Sequence, residues 1–197
     1  MCPNALRRLR PAAGLLLLAA IGSPQSAFGL DPSRKLTQYV HRIWQSQQGL
    51  PQGAIFQIFQ TREGYLWLAT QTGLARFDGV RFEPVEDIVP GAPANLWFRA
   101  ALEDRNKALW LGTSESGILR LTPDNINQSS MQYTTAQGLP SNAIQCLAQG
   151  REGVVWVCTE SGLARMDTSG SEPRIQAVQG TQIENVRTAC EDSTGRL

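Results

Sequence analysis

The sequence predicts an all-β fold, an incomplete β-propeller of four-stranded blades. Three observations predict it: a repeat of 42 to 46 residues, short apolar strands separated by turn residues, and a tryptophan-bearing strand that is apolar on both faces. Trp67 and Trp110 are 43 residues apart, and Trp110 and Trp156 are 46 residues apart. A period of this size is typical of propellers, in which every repeat forms one small sheet.

The first and third copies of the repeat are the most alike. Both open on Gly-Leu-Pro, at 49–51 and 138–140, and both continue later with Gly-Leu-Ala-Arg, at 73–76 and 162–165. The second copy is more divergent and has Gly-Ala-Pro at 91–93 in the opening position. The predicted blades cover residues 46–88, 89–136 and 137–180, and residues 181–197 begin a fourth, so that about three and a half blades are present.

Turn residues divide each copy into four strands. In the first copy we expect strands near 54–60, 65–70, 74–78 and 80–86. Asp78-Gly79 predicts a tight hairpin in which both central residues have positive φ. Gly73, Gly117 and Gly162 are expected to adopt positive φ as well. In the second copy Asn106-Lys107 replaces the turn glycine, and asparagine tolerates positive φ.

The tryptophan-bearing strand indicates how the sheets pack. Side chains alternate between the two faces of a strand, so Leu66 and Leu68 face away from Trp67. Because both faces are apolar, both must be covered. The residue two positions beyond each tryptophan is small and leaves room for the indole; these residues are Ala69, Gly112 and Cys158. We therefore predict sheets stacked face to face, with Trp67, Trp110 and Trp156 in the core.

Residues 39–45 have the pattern of an additional strand. By alignment of the two Gly-Leu-Pro segments, this stretch corresponds to the outermost strand of a preceding blade. In a closed ring it would complete the last blade and remove an open sheet edge. In the present chain we expect it to lack its partner.

Residues 1–29 are predicted to be a signal peptide. Three arginines, at 7, 8 and 10, precede an apolar run centred on 15–18, and Ala27-Phe28-Gly29 resembles a cleavage site. The run is short for a permanent membrane span, which favours a cleaved signal; an uncleaved anchor is the second interpretation. The remaining 168 residues carry 15 basic and 17 acidic side chains. A near-neutral domain lacks the basic footprint of a nucleic-acid-binding protein.

Cysteine usage predicts no metal centre and no disulfide framework. Cys146, Cys158 and Cys190 lie in the predicted domain, and their strand-like surroundings favour small buried thiols over disulfides. An odd number leaves at least one unpaired thiol or an intermolecular bond. Their spacing does not suit zinc, and we expect no metal and no cofactor.

Catalytic residues are not evident. The only histidine is His41, in the N-terminal strand, so the base of a nucleophilic triad is missing. Glu103-Asp104 and Glu191-Asp192 fall at equivalent turns of two repeats, where carboxylates commonly bond backbone amides. We expect a chain without enzymatic activity.

Arg76, Arg120 and Arg165 recur at one position of the repeat. They could form a ring that binds an anion in the channel, or each could be a structural arginine paired with a carboxylate. Their recurrence in every blade favours the structural role, because repeated positions normally serve the repeat.

Ligand contacts are expected in loops that differ between blades. The predicted loops emerge on one face, where the blades open and where the second strand turns into the third. The candidate ligand-binding residues are Gln52, Gln71, Thr72, Ser114, Glu115, Ser141, Asn142, Glu160 and Ser161.

The Gly-Leu-Pro opening, the tryptophan-bearing strand and the Gly-Leu-x-Arg-Phe-Asp segment resemble the two-component regulator propeller repeat, most closely over residues 39–82. The resemblance implies the N-terminal, periplasmic sensor region of a homodimeric transmembrane receptor that binds a small molecule or glycan. It implies a histidine kinase output, or alternatively a diguanylate cyclase, together with the membrane span, in parts beyond this chain. A secreted propeller lyase or hydrolase and a protein-interaction platform are the competing interpretations.

Overall fold

The structure is a computed structural model that describes residues 35–38, 42–88, 95–122, 131–180 and 185–197. The predicted signal peptide and His41 lie outside these ranges. The chain divides into two units, Met1–Arg42 and Ile43–Leu197. The described part of the first unit contains a 3-10 turn at Leu36–Gln38. Every described strand lies in the second unit.

Three antiparallel sheets of four strands each follow one another along the described chain. The first contains β1 (Ile55–Gln60), β2 (Leu66–Thr70), β3 (Gly73–Phe77) and β4 (Phe82–Pro84). The second contains β5 (Phe98–Glu103), β6 (Leu109–Thr113), β7 (Ile118–Leu121) and β8 (Met131–Tyr133). The third contains β9 (Ile144–Gln149), β10 (Val154–Thr159), β11 (Gly162–Asp167) and β12 (Arg174–Ala177). This arrangement confirms the predicted all-β, propeller-like architecture.

The sheets, called blades 1 to 3 below, meet along their first strands. Within each blade the strand order follows the chain order. β5 contacts both β1 and β9, which places the three first strands side by side and the fourth strands at the far edges. The blades therefore fan out from a common inner edge, as in a propeller.

Apolar side chains fill the spaces between blades. Trp67 of blade 1 packs with Phe98 and Leu111 of blade 2, and Trp110 of blade 2 packs with Ile144 and other residues of blade 3. The exposed fractions of Trp67 and Trp110 are 5% and 1%, which confirms the core prediction for both.

Trp156 departs from that prediction because it is only half-buried. Its Nε1 donates a hydrogen bond of 2.8 Å to Oε2 of Glu191. Residues 185–197 form no strand, although Asp192 N bonds Arg196 O as in the equivalent turns of the other blades. The predicted fourth blade is thus represented among the described residues by a turn, which cannot cover the indole fully.

The small residue beyond each tryptophan has the predicted packing role in blade 2. A Cβ added to Gly112 would lie 2.5 Å from Cγ2 of Ile144 in blade 3 and 3.3 Å from Cβ of Ala100. Carbon atoms in ordinary contact are about 3.5–4.0 Å apart. The absence of a side chain at Gly112 therefore sets how closely blades 2 and 3 approach.

The third small residue, Cys158, forms a disulfide with Cys146, so the prediction of buried thiols was wrong for this pair. The two residues are direct partners in the β9–β10 register, with their Cα atoms 4.9 Å apart. The distance between the Cα atoms of directly opposed residues on neighbouring strands falls within the range that a disulfide can bridge. Cys190 is a free, exposed cysteine.

Three features of the turns and strand ends differ from the predictions. Only Gly79 of the Asp78-Gly79 hairpin has positive φ, 100°, while Asp78 Oδ1 instead accepts the amides of Val80 and Arg81. In blade 2 the positive φ, 63°, falls on Lys107 and not on Asn106. The last strand of blade 1 ends at Pro84, which cannot donate to a ladder, and a short helix, α1 (Val85–Ile88), follows. Gly73, Gly117 and Gly162 have positive φ as predicted.

The strand predicted at 39–45 is not formed by its described part. Residues 42–45 adopt no strand, and residues 39–41 lie outside the described ranges. The Trp44 ring instead packs edge-on against Phe77, with ring centroids 5.1 Å apart, and lies 6.4 Å from Phe82. Trp44 therefore covers part of the face of blade 1 that points away from blade 2.

Each first strand contains a β-bulge at the same place in the repeat. The register with the second strand shifts between Ile55 and Gln57, between Phe98 and Ala100, and opposite Cys158 and Thr159. The additional residues are Phe56, Arg99 and Gln145. A bulged residue leaves the ladder and its side chain is redirected, which here happens at the inner edge of the blades.

Candidate ligand-binding face

The loops predicted to bind a ligand lie at one end of the blades. In each blade the turn between the second and third strands is bonded to the segment that leads into the first strand. The three hydrogen bonds run from Gln71 N to Ala54 O, from Ser114 N to Trp97 O and from Glu160 N to Ala143 O. We call this end the loop face, and it contains all nine predicted residues.

Backbone hydrogen bonds also connect neighbouring blades across the loop face. Gly117 N donates to Asn142 O at 2.9 Å, and Asn185 N donates to Glu160 O at 2.8 Å. The first bond links blades 2 and 3, and the second links blade 3 to the segment that follows it. The loop face is therefore connected from blade 2 through blade 3 to the segment that follows it.

The nine side chains divide into two groups. Thr72 Oγ1 donates to Gln52 O, Asn142 Oδ1 accepts from Thr135 N, and Ser141 Oγ accepts from Ala143 N, so these three support the loops. The other six side chains make no hydrogen bond to any described residue; they are Gln52, Gln71, Ser114, Glu115, Glu160 and Ser161. The structure places these groups on one face but does not bring them into one pocket.

The sequence analysis missed a cluster beside the loop face, at the inner edge of the blades. It consists of the bulged residues Phe56, Arg99 and Gln145 together with Trp97, and we call it the bulge cluster. The Phe56 and Trp97 rings lie 5.6 Å apart between centroids, tilted by 33°. The Arg99 guanidinium carbon lies 5.0 Å from the Trp97 centroid and 5.7 Å from that of Phe56. A guanidinium at these distances is attracted by the ring faces.

Arg99 is held from the neighbouring blade. Its Nη1 donates a hydrogen bond of 2.8 Å to Oε1 of Gln145. No described carboxylate lies within ion-pair distance of Arg99, and its Nε and the Trp97 Nε1 are buried without a partner among the described residues. The bulge cluster is therefore a positive charge beside aromatic rings. A buried Nε without a described partner also occurs in Arg76 and Arg120, so this atom does not distinguish Arg99 from the structural arginines.

The repeat itself contained a signal for this cluster. The position of Phe56 in blade 1 holds Arg99 in blade 2 and Gln145 in blade 3, while Trp97 stands where the other blades have Ala54 and Ala143. Structural positions of a repeat are similar between copies, as the tryptophans are. A position that differs in each copy is available for binding.

The recurring arginines do not form a ring around the inner edge, which supports the structural role for this position. Arg76 Nη2 lies 2.6 Å from Oε2 of Glu83 on the outer strand, and its guanidinium covers the Tyr65 ring at 4.4 Å. The hydrogen bond from Arg76 lowers the pKa of the Glu83 carboxyl. Arg120 stacks on Trp110 at 5.2 Å and donates to Ser171 O of the next blade.

The carboxylate pairs serve the turns, as predicted. Asp104 is buried and its Oδ1 accepts the amides of Asn106 and Ala108, while its Oδ2 accepts the Trp110 indole N–H at 2.8 Å. Glu103 Oε2 accepts a hydrogen bond from Arg62 N of blade 1 at 2.8 Å and so joins blades 1 and 2.

Within the described ranges, no group of three or more histidine, cysteine, aspartate or glutamate side chains could hold a metal ion.

A family model confirms the resemblance in two segments of the chain. The model of the two component regulator propeller matches residues 49–72 and 138–161. These segments run from the Gly-Leu-Pro opening through the second strand of blades 1 and 3 and contain all the predicted loop-face residues of these two blades. No curated protein matches this chain.

Solved structures support the same fold. The chain is 24% identical to the extracellular domain of BT3049 from B. thetaiotaomicron, described as a hybrid two component system, with a TM-score of 0.55 over 67% of this chain and 19% of that one. It is 22% identical to the extracellular domain of BT4673 from the same organism, described as a one component system, with a TM-score of 0.55 over 76% of this chain and 20% of that one. A second structure of BT4673, described as a hybrid two component system, matches with 24% identity and a TM-score of 0.51 over 72% of this chain and 18% of that one.

The chain thus spans about one fifth of the length of these extracellular domains. At this level of identity the likeness concerns the fold. Among the described residues, no helix is long and apolar enough to cross a membrane.

Proposed function

We propose that this chain is an extracytoplasmic sensor segment of a longer two-component signalling receptor. The observation that carries the proposal is the match of blades 1 and 3 to two component regulator propeller repeats. The similar solved domains, which are extracellular parts of signalling systems, support it. In this role the segment has no catalytic activity of its own, needs no cofactor and acts in the periplasm after removal of residues 1–29.

The loop face and the adjacent bulge cluster would supply the ligand-binding surface. Six of the predicted loop side chains have uncommitted polar groups, and the bulge cluster adds a cation and two aromatic rings. A ligand that binds one arrangement of a receptor dimer better than another shifts the population toward that arrangement. In the proposed receptor a membrane helix passes that shift to a cytoplasmic output, a histidine kinase in our first proposal and a diguanylate cyclase in the second.

An in-frame deletion of residues 43–180 from the gene in its source cell tests this proposal. Membranes from cells grown on different carbon sources would be assayed for autophosphorylation with labelled ATP, and the cells for cyclic di-GMP. We expect one of the two outputs to respond to the carbon source in the wild type, to lose that response in the deletion strain, and to regain it with the intact gene.

Which output responds separates the kinase from the cyclase. If both outputs are unchanged by the deletion, the sensory role is wrong. If the purified protein degrades a polysaccharide, the secreted lyase or hydrolase is the better description. If it only captures a protein partner and neither output responds, the chain is an interaction platform.

A further inference from the structure

We infer that the bulge cluster binds an organic carboxylate that has a flat apolar face. The inference rests on the proposed sensory role and gives that role a ligand class and a site. Aromatic acids and acidic sugars are two classes of compound that combine a carboxylate with a flat apolar face. Three observations carry it: the charge of Arg99, the free donors around it, and the exposed aromatic ring beside it.

Arg99 lacks the acidic partner that Arg76 and Arg165 possess; Arg120 also has none among the described residues and donates to Ser171 O instead. Arg76 lies 2.6 Å from Glu83, and Arg165 lies 3.8 Å from Asp167. Arg99 is half-buried between two rings, and the only hydrogen-bond acceptor it reaches among the described residues is the neutral amide oxygen of Gln145. A partly desolvated cation without a counter-charge attracts an anion more strongly than an exposed one.

Two donor groups beside Arg99 make no hydrogen bond to a described residue. Gln145 is oriented by the bond that its Oε1 accepts, so its amide nitrogen is free to donate. The Nη2 group of Arg99 makes no hydrogen bond to a described residue either. A carboxylate has two oxygens and can accept from both groups, and bonds from a guanidinium to a carboxylate are the stronger, charge-assisted kind.

The aromatic rings set the shape of the ligand. Phe56 is 41% exposed although it is a large apolar residue, and its ring stands beside the guanidinium. A ligand whose carboxylate reached Arg99 would bring its adjacent atoms over this ring. Burial of a flat apolar face there would add affinity that an inorganic anion cannot obtain.

The bulges explain why the cluster is available. In a regular strand the side chains alternate between the two faces that pack against neighbouring blades. The additional residue of a bulge is outside that alternation. Phe56, Arg99 and Gln145 are therefore presented from three neighbouring strands without being needed in the cores between blades.

The test is a titration of the purified protein followed by NMR of the tryptophan indole N–H groups. The chain has five tryptophans, and Trp97→Phe identifies the signal of Trp97. The probes are benzoate and galacturonate, with benzamide and galactose as neutral counterparts and inorganic phosphate as an anion without an apolar face. We expect at least one carboxylate probe to shift the Trp97 signal saturably, and the counterparts to bind about tenfold more weakly or worse.

Three substitutions complete the design. Arg99→Gln should weaken carboxylate binding about tenfold or more, because a charge-assisted hydrogen bond is lost. Gln145→Glu should weaken carboxylate binding as well, because the introduced carboxylate then pairs with Arg99 and competes with the ligand. Since that ion pair is internal, Gln145→Glu should melt at a higher temperature than Arg99→Gln. Arg81→Gln removes the same charge from an exposed hairpin at the opposite end of blade 1 and should bind like the wild type.

Saturable binding that is lost in Arg99→Gln and Gln145→Glu but kept in Arg81→Gln would support the inference. The probe that binds then distinguishes an aromatic acid from an acidic sugar. Equal binding of the neutral counterparts or of phosphate, no binding of either carboxylate, or unchanged binding in Arg99→Gln would overturn it. None of these results contradicts the proposed sensory role, because the deletion of residues 43–180 tests that role independently.

Discussion

Gly112 provides a direct test of how blades 2 and 3 pack. The substitution Gly112→Ala adds one carbon atom, which would lie 2.5 Å from Ile144 Cγ2 and 3.0 Å from Ile144 Cβ. Relief of that overlap requires a shift of about 1 Å in a core where carbon contacts are about 3.5–4.0 Å. Ile144 is fully buried on the first strand of blade 3, so it has little freedom to move. We expect Gly112→Ala to lower the free energy of unfolding by about 1–3 kcal/mol.

Urea denaturation followed by circular dichroism measures this change. Gly170→Ala is the matched control, because its added carbon would meet only Glu172 O at 3.4 Å; it should change the free energy of unfolding by less than about 0.5 kcal/mol. Ile144→Ala alone should cost about 2–5 kcal/mol. Ile144→Ala removes Cγ2, the atom closest to the added carbon, and keeps only Cβ at 3.0 Å. The double variant should therefore be more stable than the separate effects predict, by about 0.5–3 kcal/mol. A Gly112→Ala protein as stable as the wild type, or strictly additive effects, would refute this account of the packing.

Three further variants test features of single blades. Cys146→Ser combined with Cys158→Ser should lower the free energy of unfolding by about 2–4 kcal/mol in urea titrations, and added reductant should then have no further effect. Lys107→Gly should raise the melting temperature, since a φ of 63° costs a non-glycine residue about 1 kcal/mol; a lower melting temperature would contradict this. The hydrogen bond from Arg76 holds the pKa of Glu83 below its ordinary value of 4.5, so the stability it adds is present above that value and is lost as the pH falls. Glu83→Gln should therefore melt below the wild type at neutral pH, with the gap closing in acid; a constant gap would argue against the ion pair.

The repeat predicted most of the fold because its signals are local. The spacing of Trp67, Trp110 and Trp156 fixed the number of blades, and alternation around each tryptophan showed that both faces of the strand are covered. The structure then paired each tryptophan with the recurring arginine of the third strand, as in Trp67 with Arg76. The burial of Trp156 could not be predicted from local signals, because it depends on what the following segment forms.

The disulfide could have been predicted from the hairpin register. The turn after Gln149 sets Gln149 opposite Val155, and counting back from that pair places Cys146 opposite Cys158. The apolar character of the two strands favoured buried thiols instead. That criterion is correct about burial for Cys158 but not for Cys146, which is half-buried, and it says nothing about which residue lies opposite.

The candidate site was predictable only in part. The loop face follows from strand connectivity, which any four-stranded antiparallel repeat imposes. The bulge cluster does not follow from connectivity. A bulge is one additional residue in a strand relative to its partner strand, so it can be identified only when the pairing of both strands is known. Trp97, Arg99 and Gln145 also come from two blades, and their contacts depend on how closely the first strands approach.

The bulges also have a consequence for how such a domain diversifies. The residue at each bulge lies outside the ladder and outside the two apolar cores between blades, so the cores do not constrain its identity. Each blade thus offers one position at the inner edge where mutation is tolerated. Since Arg99 is held by Gln145 of the next blade, successive positions influence one another, and selection for a new chemical signal can proceed in small steps from one blade to the next.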